Sequence, residues 1–202
     1  AALVEPFAIG SHCTGRGRVV EDDVVFILGT GTIGSIILQT CKAKGCKTVI
    51  CCDISDSSLE RAKEYGADYV INSKTQDVVA EIQKITDGHG CTVAFDSACF
   101  PGSLTMCLQP GILCNAGRMV PMGFCTEKEG ITQAMINQRE LDIIGSRMSQ
   151  DAFEPTIARM EKGEYITEGI ATTFIKFSDI DKVFYLMDHP DESAKKMVIL
   201  FD

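Results

Sequence analysis

Gly29, Gly31 and Gly34 stand in G-x-G-x-x-G register within VVFILGTGTIG, residues 24–34. Without Cβ atoms, the first two glycines let the backbone turn sharply and approach a pyrophosphate, whose charge then meets unpaired N–H groups at a helix start. The third lets helix and strand pack closely. Thr32 and Ile33, between the second and third glycines, share that contact. Asp53 ends the next apolar run, TVICCD, and follows Gly34 by 19 residues. A carboxylate at about that spacing takes the hydroxyls of an adenosine ribose. Its simpler alternative is a solvated acid closing a strand. With Ile54 and Ser55 after it and no adjacent arginine for a 2′-phosphate, Asp53 favours NAD over NADP.

These residues need strands and helices to hold them. Val24 onward reads as a strand, Ser35–Lys44 as a helix stopped by Gly45, and Thr48–Asp53 as a second strand. Ser55–Ser58 supply N-cap chemistry for a helix over Leu59–Tyr65, and Asp68–Asn72 is a third strand. Apolar residues at Val78, Val79, Ile82 and Ile85 have a helical period. Thr92–Ser97 is a fourth strand, Gly102–Leu108 a helix, Gly117–Phe124 a fifth strand with Pro121 at an irregular or edge position, and Leu141–Gly145 a sixth. Phe153–Lys162, Thr172–Phe177, Asp179–Met187 and Met197–Phe201 alternate helix and strand to the end. Ala1–Arg18 reads as a helix interrupted near Pro6. Such alternation predicts an α/β fold: a doubly wound parallel sheet of Rossmann type. Ser97 and Ala98, at the carboxyl end of the fourth strand, then border the nicotinamide ribose.

The 202 residues are 45% hydrophobic, enough to bury a core. A net charge of −9 excludes a polyanion partner such as nucleic acid. AALVEPFAIG carries Glu5 and Pro6 and has no basic leader, so it is neither signal peptide nor membrane span. None of the ten cysteines forms a C-x-x-C pair; they read as small buried hydrophobes in a reducing cytoplasm.

The combination of ILGTGTIG, LERAKEYGADYVIN, FDSA, GRMVPMGF, ELDIIGSR and FSDIDKVFYLM resembles the medium-chain dehydrogenase/reductase family, in its zinc-dependent polyol and sugar-acid branch. The resemblance runs over essentially the whole chain. It implies a cofactor-binding part only: residues 1–18 a connecting helix from a catalytic domain that the chain lacks, 19–150 an NAD-binding Rossmann domain, and 151–202 a C-terminal return segment of that missing domain. It implies NAD as cofactor, zinc in the full-length protein, a small polyol or sugar-acid substrate, and a homo-oligomer paired near LDIIG. Glu5 is then a zinc ligand or a carboxylate acting through zinc-bound water; otherwise it is a surface glutamate. Arg147 is a substrate-pocket residue that pairs a substrate carboxylate or steadies Glu5; otherwise it is a surface salt-bridge partner. Ser58 reaches toward the adenine ribose, whereas Arg61 is a solvated partner for nearby glutamates, His12 is structural, and His89 and His189 are solvated. Such a fragment binds NAD without turnover. Two rival readings are a stand-alone dinucleotide-binding or sensor module, and a zinc-free NADPH reductase of the same superfamily, which Asp53 and Glu5 disfavour.

Overall fold

The computed structural model describes residues 1–189 and 196–201. Parts of the predicted return segment, 190–195 and 202, lie outside them. Six strands form one parallel sheet in the order β3-β2-β1-β4-β5-β6: β1 Val24–Leu28, β2 Thr48–Asp53, β3 Tyr69–Asn72, β4 Cys91–Asp96, β5 Leu113–Pro121 and β6 Asp142–Ile143. Side chains alternate along β1. Val25 and Ile27 join a core with Phe7, Ile36, Phe95 and Val120 on one face, while Phe26 and Leu28 join Ile50, Ile82, Leu108 and Met119 on the other. A strand apolar on both faces belongs in the middle of a covered parallel sheet.

Helices supply the covers. On the first face α1, Val4–Arg16, crosses α2, Thr32–Ala43. The second face is covered in part by α4, Val78–Ile85, and α5, Ser103–Cys107; α3, Asp56–Glu64, lies between β2 and β3 in sequence. The expected break at Pro6 is absent. Pro6 lies in the first turn of α1, where its missing N–H would have had no partner within the helix. α2 begins three residues before the predicted Ser35, because extended Gly31 caps it.

Two further differences have local causes. The sixth strand is two residues long, so Pro121 stands beyond its pairing, at a local edge where no N–H is needed. A short helix unseen in the sequence, α6 Gln133–Asn137, is capped by Thr132, which accepts from the Met135 N–H at 3.3 Å. After it come α7 Phe153–Glu161, β7 Thr173–Lys176, a 3₁₀ turn at Phe177–Asp179, α8 Asp181–Asp188 and β8 Met197–Leu200, with β7 and β8 forming a separate parallel pair. Residues 159–168 fasten this C-terminal part to the first face. Tyr165 packs its ring 4.7 Å from Phe7, and Gln39 exchanges hydrogen bonds with the backbone of Ile166 at 2.7 and 3.0 Å.

At the amino ends of the strands, Asp23 is 5% exposed and pairs with Arg118. Asp23 also accepts from Thr92 Oγ1 at 2.6 Å and the Val20 N–H at 2.9 Å. Arg118 donates to the carbonyls of Gly17 and Arg18, each at 2.8 Å. Arg118→Leu leaves a buried carboxylate without its cation; urea unfolding should show a loss of about 3–5 kcal/mol.

At the carboxyl ends the constraint is steric. Gly29 has φ +88°, and a Cβ there would lie 2.8 Å from the Ala98 nitrogen. A Cβ on Gly34 would lie 1.9 Å from the Gly29 carbonyl oxygen and 2.8 Å from Ser97 Oγ. Gly34→Ala therefore has to push backbone from backbone. We expect it to lower unfolding stability by at least about 3 kcal/mol in urea titration.

Candidate functional site

A parallel sheet offers a crevice where neighbouring strands send their connections to opposite faces, outside their carboxyl ends. Here that place is between β1 and β4. Gly29, Gly31 and Gly34 stand there with separate roles. Gly29 makes the left-handed turn, Gly34 gives the close helix–strand approach, and Gly31 has nothing within 4 Å of where its Cβ would be. A phosphate can thus come directly onto the backbone at Gly31. The first bond onto the cap runs from the Ser35 N–H to the Gly31 carbonyl at 2.9 Å, so the amides of Thr32, Ile33 and Gly34 precede the bonded ladder and belong to the positive helix end. Thr32 and Ile33 are half-buried and Gly34 buried.

Asp53 sits at the end of β2, half-buried. Its Oδ1 accepts from the N–H groups of Ile54 at 2.7 Å and Ser55 at 3.0 Å. Its Oδ2 accepts from the N–H and the hydroxyl of Thr30 at 2.7 and 2.9 Å. Thr30 lies between the first two glycines, so the carboxylate and the phosphate turn are joined. Spacing does not single out Thr30; a hydroxyl inside a glycine turn is the signal for it.

Ser97 secures β4 to the turn, its Oγ donating to the carbonyls of Leu28 at 3.0 Å and Gly29 at 2.7 Å. Ala98 is exposed beside Gly29. A cleft of about 190 Å³ opens alongside, lined by Ile9, Ile33, Ser97, Met122, Phe124 and Arg147. Ser146 also lines it, and its buried hydroxyl has no protein partner. An unpaired buried hydroxyl is costly, and a ligand amide in the cleft would supply the missing bond. The open face at Gly31, the oriented carboxylate and this orphan hydroxyl fit a dinucleotide laid across the carboxyl ends of β2, β1 and β4.

Ser58 is 2% exposed, and its Oγ accepts from Arg61 Nη2 at 3.3 Å. Arg147 is exposed with its guanidinium 5.7 Å from the centroid of the Phe124 ring, a cation–π contact, and among the described residues no ion pair joins it to Glu5. Glu5 is exposed on α1, one helical turn from Ile9 on the same face. His12 is half-buried in α1. His189 stacks on Tyr185 at 4.4 Å, and His89 is exposed.

The donors present do not by themselves complete a zinc site. Among the described residues no group of three or more His, Cys, Asp and Glu is placed to hold a metal ion. Burial pushes the Cys52 and Cys91 thiols up to about 12, which keeps them protonated and poor nucleophiles at neutral pH. A larger cavity of about 650 Å³, lined in part by His89, Thr92 and Arg139, lies at the amino ends of the strands. There Arg139 already donates to the carbonyls of Leu108 and Leu113. No helix among the described residues is long and apolar enough to cross a membrane.

Comparison with known proteins agrees with this geometry. Residues 32–162 match the family model described as zinc-binding dehydrogenase. The chain is 34% identical to the starvation-sensing protein RspB of Escherichia coli K12, over all of this chain and 58% of that protein. It is 30% identical to sorbitol dehydrogenase of Bacillus subtilis, over 86% of this chain and 47% of that protein. A crystal structure of RspB from Escherichia coli CFT073, complexed with NADH, superposes with a TM-score of 0.91 at 32% identity, covering all of this chain and 59% of that one. The chain thus spans about half the length of the curated relatives it matches. A turn, a carboxylate and a sheet order that fit a dinucleotide, together with matches across the whole chain, place it in the zinc-binding dehydrogenase family of the medium-chain dehydrogenase/reductases.

Proposed function

We propose that this chain is the NAD-holding part of a dehydrogenase that oxidises a secondary alcohol of a polyol or sugar acid. The observation that carries the reading is Asp53, fixed by four donors beside an open glycine turn. Its carboxylate accepts the adenosine ribose hydroxyls and repels a 2′-phosphate. The amides of Gly31, Thr32, Ile33 and Gly34 take the pyrophosphate. Ser97 and Ala98 border the nicotinamide ribose, and Ile33, Met122 and Phe124 keep water from the ring. Bound NAD supplies the hydride acceptor. Glu5 is the carboxylate this chain offers to a zinc site completed by ligands outside it, and Arg147, at the cleft wall, steers substrate oxygens. Residues 1–18 act as connecting helix, 19–150 as cofactor domain and 151–202 as return segment. The exposed β6 edge suits pairing into a homodimer, and the free buried thiols suit the cytoplasm.

A rival reading is a dinucleotide-binding module without catalysis. Both readings require NAD binding; oxidation of polyols by a longer protein containing this chain separates them.

Isothermal calorimetry of the chain with NAD should show saturable binding with little heat from NADP, and absence of NAD binding overturns the proposal. Gly31→Ala is the sharper test, since a methyl there meets no protein atom. It should lose no more than about 1 kcal/mol of stability, the cost of alanine at a helix N-cap, yet bind NAD at least tenfold more weakly.

A further inference from the structure

Asp96 ends β4, is 4% exposed, and turns its side chain back onto the backbone that follows it. Its Oδ1 accepts from the N–H groups of Ala98 at 3.1 Å and Cys99 at 3.0 Å, and its Oδ2 accepts from the Ser103 hydroxyl at the start of α5. A buried carboxylate with three donors has a fixed direction, because turning it leaves buried polar groups unpaired. The backbone it grips needs holding. Cys99 has φ +53°, a left-handed conformation that residues other than glycine seldom adopt unless their surroundings impose it. On its other side Ala98 abuts the glycine turn, since a Cβ on Gly29 would lie 2.8 Å from the Ala98 nitrogen. Ala98 is itself exposed. The Asp96 carbonyl also accepts from the Met122 N–H at 3.0 Å, and Met122 and Ser97 line the cleft.

We propose that Asp96 is a positioning residue that fixes Ala98, and with it the wall of the cleft that borders the nicotinamide ribose. This rests on the proposed NAD reading. The glycine turn is held by other bonds. The Gly29 N–H donates to the Cys52 carbonyl at 2.8 Å, Ser97 Oγ donates to the carbonyls of Leu28 and Gly29, and Thr30 donates to Asp53. None of these involves the Asp96 carboxylate, so its influence falls on one half of a dinucleotide. The adenosine ribose and the phosphates meet Asp53 and the amides around Gly31, whereas the nicotinamide ribose meets Ala98. Without the carboxylate, the turn at Ala98 and Cys99 has no side chain to keep its left-handed geometry, and the wall loses its shape where the second ribose lies.

A merely structural Asp96, when replaced, would weaken every ligand of the site alike or none. Calorimetry of the chain with NAD and with ADP, which has no nicotinamide ribose, separates the two roles. Asp96→Ala should bind NAD at least fivefold more weakly than the parent and ADP within twofold of it. Asp96→Asn keeps an oxygen for the amides of Ala98 and Cys99 and gains an N–H that can donate to the Ser103 hydroxyl; it should bind NAD within twofold of the parent. The inference is overturned if Asp96→Ala leaves NAD affinity unchanged or lowers NAD and ADP affinity equally, if Asp96→Asn loses as much as Asp96→Ala, or if the parent binds NAD no more tightly than ADP. Should Asp96→Ala not fold, Ser103→Ala takes its place. It leaves Oδ2 without its donor and should weaken NAD at least twofold with ADP unchanged, and unchanged NAD affinity there overturns the inference as well. A parent chain that binds no NAD sinks the functional reading and this inference with it, an outcome separate from any change in the variants.

Discussion

Everything at the candidate site depends on one close approach of backbone to backbone. The start of α2 lies so near the end of β1 that Gly34 has no room for a single methyl, and Gly29 is pressed as closely against Ala98 at the end of β4. Because the helix begins there, its unpaired amides open at the crevice, and because β4 ends there, Ser97 can tie the two strands together through the carbonyls of Leu28 and Gly29. Packing this tight leaves little freedom to the intervening residues. Within the turn Thr30 is buried and bound to Asp53, and Gly31 is left exposed and open.

Much of this was legible in the sequence for a physical reason. The parallel sheet needs strands buried on both faces, and VVFIL and TVICCD are unbroken apolar runs. The glycine register and the distance to Asp53 follow from the length of one strand–helix–strand unit, which covalent geometry fixes. Legibility declines where structure depends on contacts between distant residues. The helix at Gln133–Asn137 is too short to carry a period, and β6 is cut to two residues by what surrounds it. Pro6 was misread because a proline interrupts a helix only after its first turn.

The site divides along the same line. Gly29, Gly31, Gly34 and Asp53 are neighbours through a single local unit, so spacing alone could name them. Ile9, Met122, Phe124 and Ser146 converge on the cleft from three separate segments, and no periodicity links them. Ser58 shows a different limit: read as part of the N-cap stretch, it lies inside α3, buried, and accepts from Arg61.

One feature of the first face bears on how the molecule is made. Phe7, Gln39 and their neighbours are covered by residues of the C-terminal part, with Gln39 waiting for a partner 127 positions downstream. Ribosomal synthesis at roughly 5–20 residues per second separates their emergence by on the order of ten seconds. During that interval the nascent sheet can form on its second face while the first still shows Phe7 and α2 to its surroundings. The order of translation thus leaves the first face open longest, and the docking of Tyr165 and Ile166 is the step that ends that exposure.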